Sequence, residues 1–152
     1  GTPIQGGLDP KILLNDKVPP SITATTISAD NSSITVTFSE AVFTAQGGTD
    51  ILVPSDFVLA MAGGTATLSD LEPSSITPND QQTIFNLGLS LAGIPDGSEV
   101  LTVTPLLNAD GVTKIYDRGG NAAASEQKNN TITNNCCFCC SENILPGFLS
   151  VV

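Results

Sequence analysis

The feature that most constrains this chain is a series of short segments rich in β-branched residues, each ended by residues that favour turns. In the clearest of them, Ser33–Val42, the apolar residues Ile34, Val36 and Phe38 alternate with Thr and Ser. A two-residue period of this kind is typical of a half-buried strand. The series predicts strands at 21–28, 33–42, 56–61, 66–69, 82–89, 99–107, 114–116 and 130–134. No segment of the sequence shows the apolar period of an amphipathic helix.

Composition and strand spacing together predict the fold class. Charged residues make up only 13% of the 152 residues, against about 25% in an ordinary soluble domain, so uncharged polar residues must supply much of the surface. The chain also holds 14 Gly and 10 Pro, which favour tight turns. Short strands separated by turns predict an all-β, two-sheet Greek-key sandwich. We expect an extended arm at 1–18, the sandwich at 19–135 and a Cys-rich, apolar tail at 136–152.

Five short motifs add a family resemblance to this pattern. They are Pro20-Ser21-Ile22, Ile34–Val42, Ser55-Asp56-Phe57, Leu101-Thr102-Val103 and Asp117–Ala123. With these motifs the chain resembles the bacterial immunoglobulin-like repeats of large surface proteins and adhesins, over most of the expected sandwich. The resemblance implies an immunoglobulin-like fold, an extracellular setting and a role in adhesion or assembly. Such repeats usually occur in tandem, whereas this one stands alone between two tails.

Charge and residue content argue against several classes of function. The formal net charge of −10 repels DNA and RNA, and the sequence has no basic patch that would offset it. The chain has no His, which removes Ser-His-Asp and Cys-His catalysis. Most carboxylates sit in turn sequences, as at Asp30 and Asp96, where Asp bonds its own backbone. We therefore expect no enzyme and no nucleic-acid partner. No apolar run in the sequence reaches the roughly 18 residues of a membrane span.

Calcium is the one cofactor that the sequence suggests. The candidate ligands are the loop residues Asp50, Asp56, Asp110, Asp117 and Asn121. A sandwich can bring separate loops together at one end, and Ca²⁺ prefers oxygen ligands of this kind. The EF-hand spacing is absent from the sequence, and ordinary solvated turn residues are the competing interpretation.

The densest chemical signal is the run Cys136, Cys137, Cys139 and Cys140. Disulfides, within the run or to another subunit, are the favoured interpretation in an oxidising compartment. Soft-metal binding by thiolates is an alternative, although structural zinc sites usually draw their ligands from two separated pairs. Free thiols are the third possibility.

The two tails favour assembly with other copies of the chain. The apolar residues concerned are Ile4, Leu8, Ile12, Leu13 and Leu14 in the N-terminal arm, and Ile144, Leu145, Phe148, Leu149 and Val151 in the C-terminal tail. Apolar segments of this kind are expected to be buried, either against their own domain or against a neighbouring subunit. Open sheet edges accept an added strand, and a heterologous contact builds an open helical filament. We expect the N-terminal arm to be the donor, by analogy with the strand exchange of bacterial pili.

The sequence therefore predicts the structural subunit of an extracellular, pilus-like filament, a helical homopolymer held together by strand donation. The alternative is a single adhesin or carbohydrate-binding module of a larger cell-surface protein. The chain begins at Gly1 instead of Met, which fits a mature exported protein or a trimmed fragment equally well.

Overall fold

The computed structural model describes residues 16–136. Some predicted contacts lie outside the described residues: Ile4, Leu8 and Ile12–Leu14 of the arm, Ile144, Leu145, Phe148, Leu149 and Val151 of the tail, and Cys137, Cys139 and Cys140. The described elements are β1 (Ile22–Ile27), β2 (Ser33–Phe38), a 3-10 helix (Pro54–Asp56), β3 (Phe57–Ala62), β4 (Thr67–Leu68), β5 (Ile76–Pro78), β6 (Ile84–Gly88), β7 (Leu91–Ala92), β8 (Val100–Pro105) and β9 (Thr131–Thr133).

The strands form two main antiparallel sheets, which confirms the all-β sandwich prediction. One sheet has the order β1-β2-β6-β5 and the other the order β3-β8-β9, while β4 and β7 pair as a small separate ribbon. In chain order these seven strands correspond to the A-B-E-D and C-F-G sheets of a constant-type immunoglobulin domain. The position of the seventh strand is filled by β9, from the same chain.

The core lies between the two sheets and is built from the alternating apolar residues of their inner faces. In β2 the predicted alternation is confirmed, since Ile34, Val36 and Phe38 are buried and the residues between them are partly exposed. The rings of Phe38 and Phe85 meet edge to face with centroids 5.9 Å apart, and Phe57 lies 6.4 Å from each. Three aromatic rings from both sheets thus meet at the centre of the domain.

The structure departs from the predicted strands in four places. Strand β2 ends at Phe38, although Val42 beyond it is buried. The segment predicted at 114–116 contributes only isolated bridges through Tyr116. Two short strands, β5 and β7, were not predicted, because their three and two residues carry no readable alternation.

Candidate functional site

The described chain enters the sandwich at one end and leaves it at the other. Strands β1 and β9 run side by side in the same direction: Asn129 Nδ2 donates to Ile22 O (3.4 Å) and Asn135 Nδ2 to Ser28 O (2.9 Å). The N-terminal arm therefore joins at the end where β1 begins, which we call the arm end. The chain reaches Cys136 at the opposite end, which we call the tail end.

Three carboxylates gather at the arm end. One oxygen from each of Asp16, Glu40 and Asp117 lies within 4.8 Å of the others. Asp117 is fully buried, and its carboxylate accepts hydrogen bonds from Asn121 N (2.7 Å) and Asn121 Nδ2 (2.6 Å). The same Asn121 amide donates to Asp16 O at 2.9 Å, which holds the last residues of the arm against this loop. The arrangement concentrates negative charge where the arm meets the domain.

Glu40 is the carboxyl group of this cluster whose pKa is raised. Partial burial of its carboxyl group, followed by repulsion from Asp117 and Asp16, raises the pKa of Glu40 above its ordinary value. Like charges this close favour a bound proton or another cation. Two of the five residues predicted as calcium ligands, Asp117 and Asn121, lie here, beside Asp16 and Glu40, which the sequence did not single out.

The other three predicted ligands lie outside the acidic cluster. Asp50 and Asp110 are exposed. Asp56 is buried, and its Oδ2 accepts hydrogen bonds from Thr44 Oγ1 (2.9 Å) and Val53 N (2.8 Å), which hold the loop before β3. The carboxylate of Asp56 therefore stabilises this loop and is not part of the acidic cluster. Calcium binding stays a prediction, now centred on Asp117 and Asn121.

Glu99 is a buried carboxylate that no local sequence pattern marks. Its Oε1 accepts hydrogen bonds from the backbone N–H groups of Thr65 (3.0 Å), Ala66 (3.0 Å) and Asp96 (3.1 Å), and its Oε2 accepts one from Gly97 (3.1 Å). Burial opposes ionisation, but these backbone donors outweigh it and lower the pKa of Glu99 to about 2. One ionised side chain therefore ties two turns to the start of β8.

A glycine turn makes room for this carboxylate. Gly64 has a positive φ of 62°, and a Cβ at that position would lie 2.2 Å from Cδ of Glu99. Only glycine fits so close to the buried acid. The Gly63-Gly64 pair after β3 was visible in the sequence as a turn, but its acidic partner lies 35 residues further along the chain.

A cavity of about 410 Å³ opens at the tail end of the sandwich. One wall is apolar and is formed by Leu89, Leu91, Gly93, Ile94 and Pro95; the other is formed by Asp30, Asn31 and Ser32. Ile94 is 67% exposed at its mouth. The tail-end cavity is thus an accessible apolar recess with one polar wall.

The sheet edges differ in how they are covered. On one side β1 and β9 lie against each other, and Thr25 Oγ1 donates to Asn129 O at 2.6 Å. On the other side Leu59 N of β3 donates to Leu71 O at 2.7 Å, so part of that edge is occupied. The remaining edge strand, β5, contains Pro78, which has no N–H to offer.

Cys136 is the single cysteine among residues 16–136, where it is half-buried and has no disulfide. Its predicted partners lie outside the described residues, so the disulfide prediction remains open. Residues 16–136 also contain no helix with the length and hydropathy needed to cross a bilayer.

No protein-family model and no curated protein matches this chain. Among solved structures, the N-terminal part of the bacterial S-layer protein SbsC matches 78% of this chain with a TM-score of 0.53 and 20% identity. The S-layer protein rSbsC(31-844) matches the same share with the same score and identity. This chain spans 24% and 14% of those two chains. At this identity the likeness shows a shared fold: the sandwich is similar to a domain within a bacterial S-layer protein.

Proposed function

We propose that this chain is a structural subunit of an extracellular assembly built from copies of itself. The observation that carries the proposal is that the described chain enters a complete sandwich at one end, at Asp16, and leaves it at the opposite end, at Cys136. A contact between one copy's arm and the next copy's body is heterologous, and such contacts continue into a filament unless they close. The shared fold with a bacterial S-layer protein supports a structural role at a cell surface.

In this proposal the arm residues Ile4, Leu8 and Ile12–Leu14 form a donated strand. Because β9 already fills the seventh strand position, the donated strand adds to a sheet edge and does not replace a missing strand. Main-chain hydrogen bonds to that edge supply affinity, and the alternate apolar side chains supply specificity. The assembly is then a helical homopolymer of self-sufficient domains.

The second candidate is a module of a longer cell-surface protein. It is favoured by the fact that this chain spans only 24% and 14% of the two similar S-layer chains. A domain that the chain enters at one end and leaves at the other also suits a tandem array. The two candidates differ in whether the isolated chain assembles.

Negative-stain electron microscopy of the full chain, beside a variant lacking residues 1–15, tests the proposal. This deletion removes residues 1–15 of the arm but keeps Asp16, whose carbonyl accepts a hydrogen bond from Asn121 at the arm end. We expect filaments from the full chain and dispersed particles from the deletion variant. A second variant with Ile12, Leu13 and Leu14 all changed to Ser keeps the length of the arm and is also expected to stay dispersed.

Two other results would change the conclusion. Filaments from both arm variants would mean that the arm is not the donor. Dispersed monomers of the full chain, with circular dichroism showing a folded β domain, would reject the filament and favour the module of a longer protein.

A further inference from the structure

We propose that the tail-end cavity holds the apolar segment Asn143–Val152 of the same chain, with Phe148 as the inserted side chain. The inference is independent of the filament, because a dispersed monomer would bury its own tail in the same way. It concerns the C-terminal tail, whereas the proposed filament depends on the N-terminal arm.

The described chain ends beside this cavity. Asn135 is joined to Asn31 of the polar wall by two hydrogen bonds of 2.8 Å, one in each direction. Cys136 lies against Gly97, since a Cβ on that glycine would approach Cys136 Cβ to 3.0 Å. Gly97 follows Pro95 of the apolar wall by two residues. The chain therefore leaves the domain close to both walls of the cavity.

The walls favour an apolar occupant over a polar one. Asp30 Oδ1 already accepts hydrogen bonds from Ser28 Oγ (2.7 Å), Ser32 N (3.0 Å) and Ser32 Oγ (2.7 Å). The Asn31 amide is bonded to Asn135 through both its nitrogen and its oxygen. These bonds engage Asp30 Oδ1 and the Asn31 amide, and most of the remaining surface of the recess is the aliphatic surface of Leu89, Leu91 and Ile94. A sugar or an anion would find few partners there, and the net charge of −10 disfavours an anion further.

The segment NILPGFLSVV is apolar, like this surface, and the chain between Cys136 and the segment is long enough to reach the cavity. It has no charged residue, and Phe148 is its single aromatic side chain and its largest apolar group. Ile144 follows Cys136 by eight residues, a span of at most about 26 to 29 Å when extended. The sequence Pro146-Gly147 favours a turn directly before Phe148. A cavity of about 410 Å³ has room for such a side chain.

The short connection decides between the tail of the same chain and the tail of a second copy. A binding segment on a short flexible linker has an effective concentration in the millimolar range. At micromolar protein concentration, a neighbour's tail competes poorly with that. We therefore assign the cavity to the chain's own tail.

A single tryptophan tests this assignment in the full chain, which has none of its own. In the variant Phe148→Trp we expect blue-shifted emission and several-fold protection from acrylamide quenching. A second change, Ile94→Ser, is then added to this variant. It should red-shift the emission and remove most of the protection. The Ile94 side chain is 67% exposed, so its replacement should not disturb folding. The matched control is Ile51→Ser, a similarly exposed isoleucine in the loop before β3, which should leave the spectrum unchanged.

Concentration separates the two possible sources of the tail. Emission that is unchanged over a hundredfold dilution, down to concentrations at which the chain sediments as a monomer, supports insertion of the chain's own tail. A blue shift that disappears on dilution assigns the cavity to a second copy and overturns the proposal. Water-exposed emission from Phe148→Trp, or equal effects of the two serine changes, overturns it as well. None of these outcomes depends on residues 1–15, so the filament proposal is tested separately.

Discussion

Glu99 has more influence on the fold than its place in the sequence suggests. It follows the Pro95-Asp96-Gly97 turn and precedes the apolar strand β8, so it looks like a solvated residue at a strand start. Its carboxylate is instead fully buried, among backbone donors from two turns. Short-range patterns cannot reveal such a partner set, because Thr65 and Ala66 lie more than 30 residues away.

Replacing Glu99 with Gln should lower the melting temperature by several degrees at neutral pH. Gln keeps one acceptor oxygen but places an NH₂ group opposite a backbone N–H, so a buried donor loses its partner. Thermal unfolding followed by circular dichroism measures the change. Glu126→Gln, at an exposed position, is the matched control and should have almost no effect. Equal melting temperatures for the two variants would contradict this role for Glu99.

The same residue predicts a pH dependence with a definite sign. The pKa of Glu99 is about 2 in the folded protein, below its ordinary value of 4.5. Its stabilising contribution is therefore complete above pH 4.5 and is lost as the pH falls from there towards 2. The difference in stability between wild type and Glu99→Gln should shrink over that range. A difference that stays constant from pH 7 to pH 3 would argue against an ionised Glu99.

Glu40 should behave in the opposite way. Its raised pKa means that the folded state prefers the protonated form, so ionised Glu40 destabilises the protein at neutral pH. Glu40→Gln should raise the melting temperature at pH 7 by a few degrees or less, since the side chain is only partly buried. The gain should shrink as the pH falls below the folded-state pKa and vanish below the ordinary value of 4.5, where Glu40 is neutral in both the folded and the unfolded chain. A lower melting temperature for this variant at pH 7, with Glu126→Gln again as control, would refute the repulsion.

The acidic cluster shows which parts of the site the sequence could reveal. Asp117 and Asn121 stand four residues apart in a glycine-containing loop, a local pattern that marks them as candidate ligands. Asp16 and Glu40 join them only because β1 and the loop after β2 converge at the arm end. Contacts between such distant residues depend on the tertiary fold, so no local pattern predicts them.

Among the strands, the sequence predicts those that are long enough to show an alternation of apolar and polar residues. Strand β2 was readable because three core residues at a two-residue spacing fix its inner face. Strand β5 was not, because it has three residues, ends in Pro78 and pairs only with β6. Its existence depends on the exposed edge that β6 offers, a tertiary property. The strand order, in turn, follows from general rules for Greek-key sandwiches more than from any single motif.

Pro78 should protect the β5 edge from unwanted pairing. Asn79 N donates to Ile84 O across the β5–β6 ladder (2.8 Å), and neighbouring residues of a strand direct their N–H groups to opposite sides. The nitrogen of Pro78 therefore faces away from β6, where any other residue would present a free donor. Pro78→Thr restores that donor, and we expect it to increase self-association several-fold.

Sedimentation velocity in the variant lacking residues 1–15 measures this effect without the proposed donor arm. Thr77→Val in the same background is the control, because it raises the β propensity of the strand without adding an N–H group. Greater association with Pro78→Thr alone would identify the missing donor as the protective feature. Equal association of both variants would mean that strand propensity, and not the proline, controls this edge.

At the scale of the whole molecule, assembly must overcome electrostatic repulsion. Each copy carries a formal charge of −10, and a filament places many copies in contact. Added salt shortens the range of this repulsion from about 30 Å at 0.01 M to about 10 Å at 0.1 M. The shorter range is less than the width of the domain, so subunits can then approach through their apolar surfaces.

Assembly of the full chain should therefore be several-fold slower at 0.01 M than at 0.15 M NaCl, as followed by light scattering. Comparing NaCl, MgCl₂ and CaCl₂ at equal ionic strength separates screening from specific binding. Screening alone predicts similar rates for the two divalent salts, whereas a calcium site at Asp117 predicts faster assembly with CaCl₂ and loss of that advantage in Glu40→Gln. Assembly that is fastest at low salt would contradict the argument, because it would mean that attraction between opposite charges, and not apolar contact, joins the subunits.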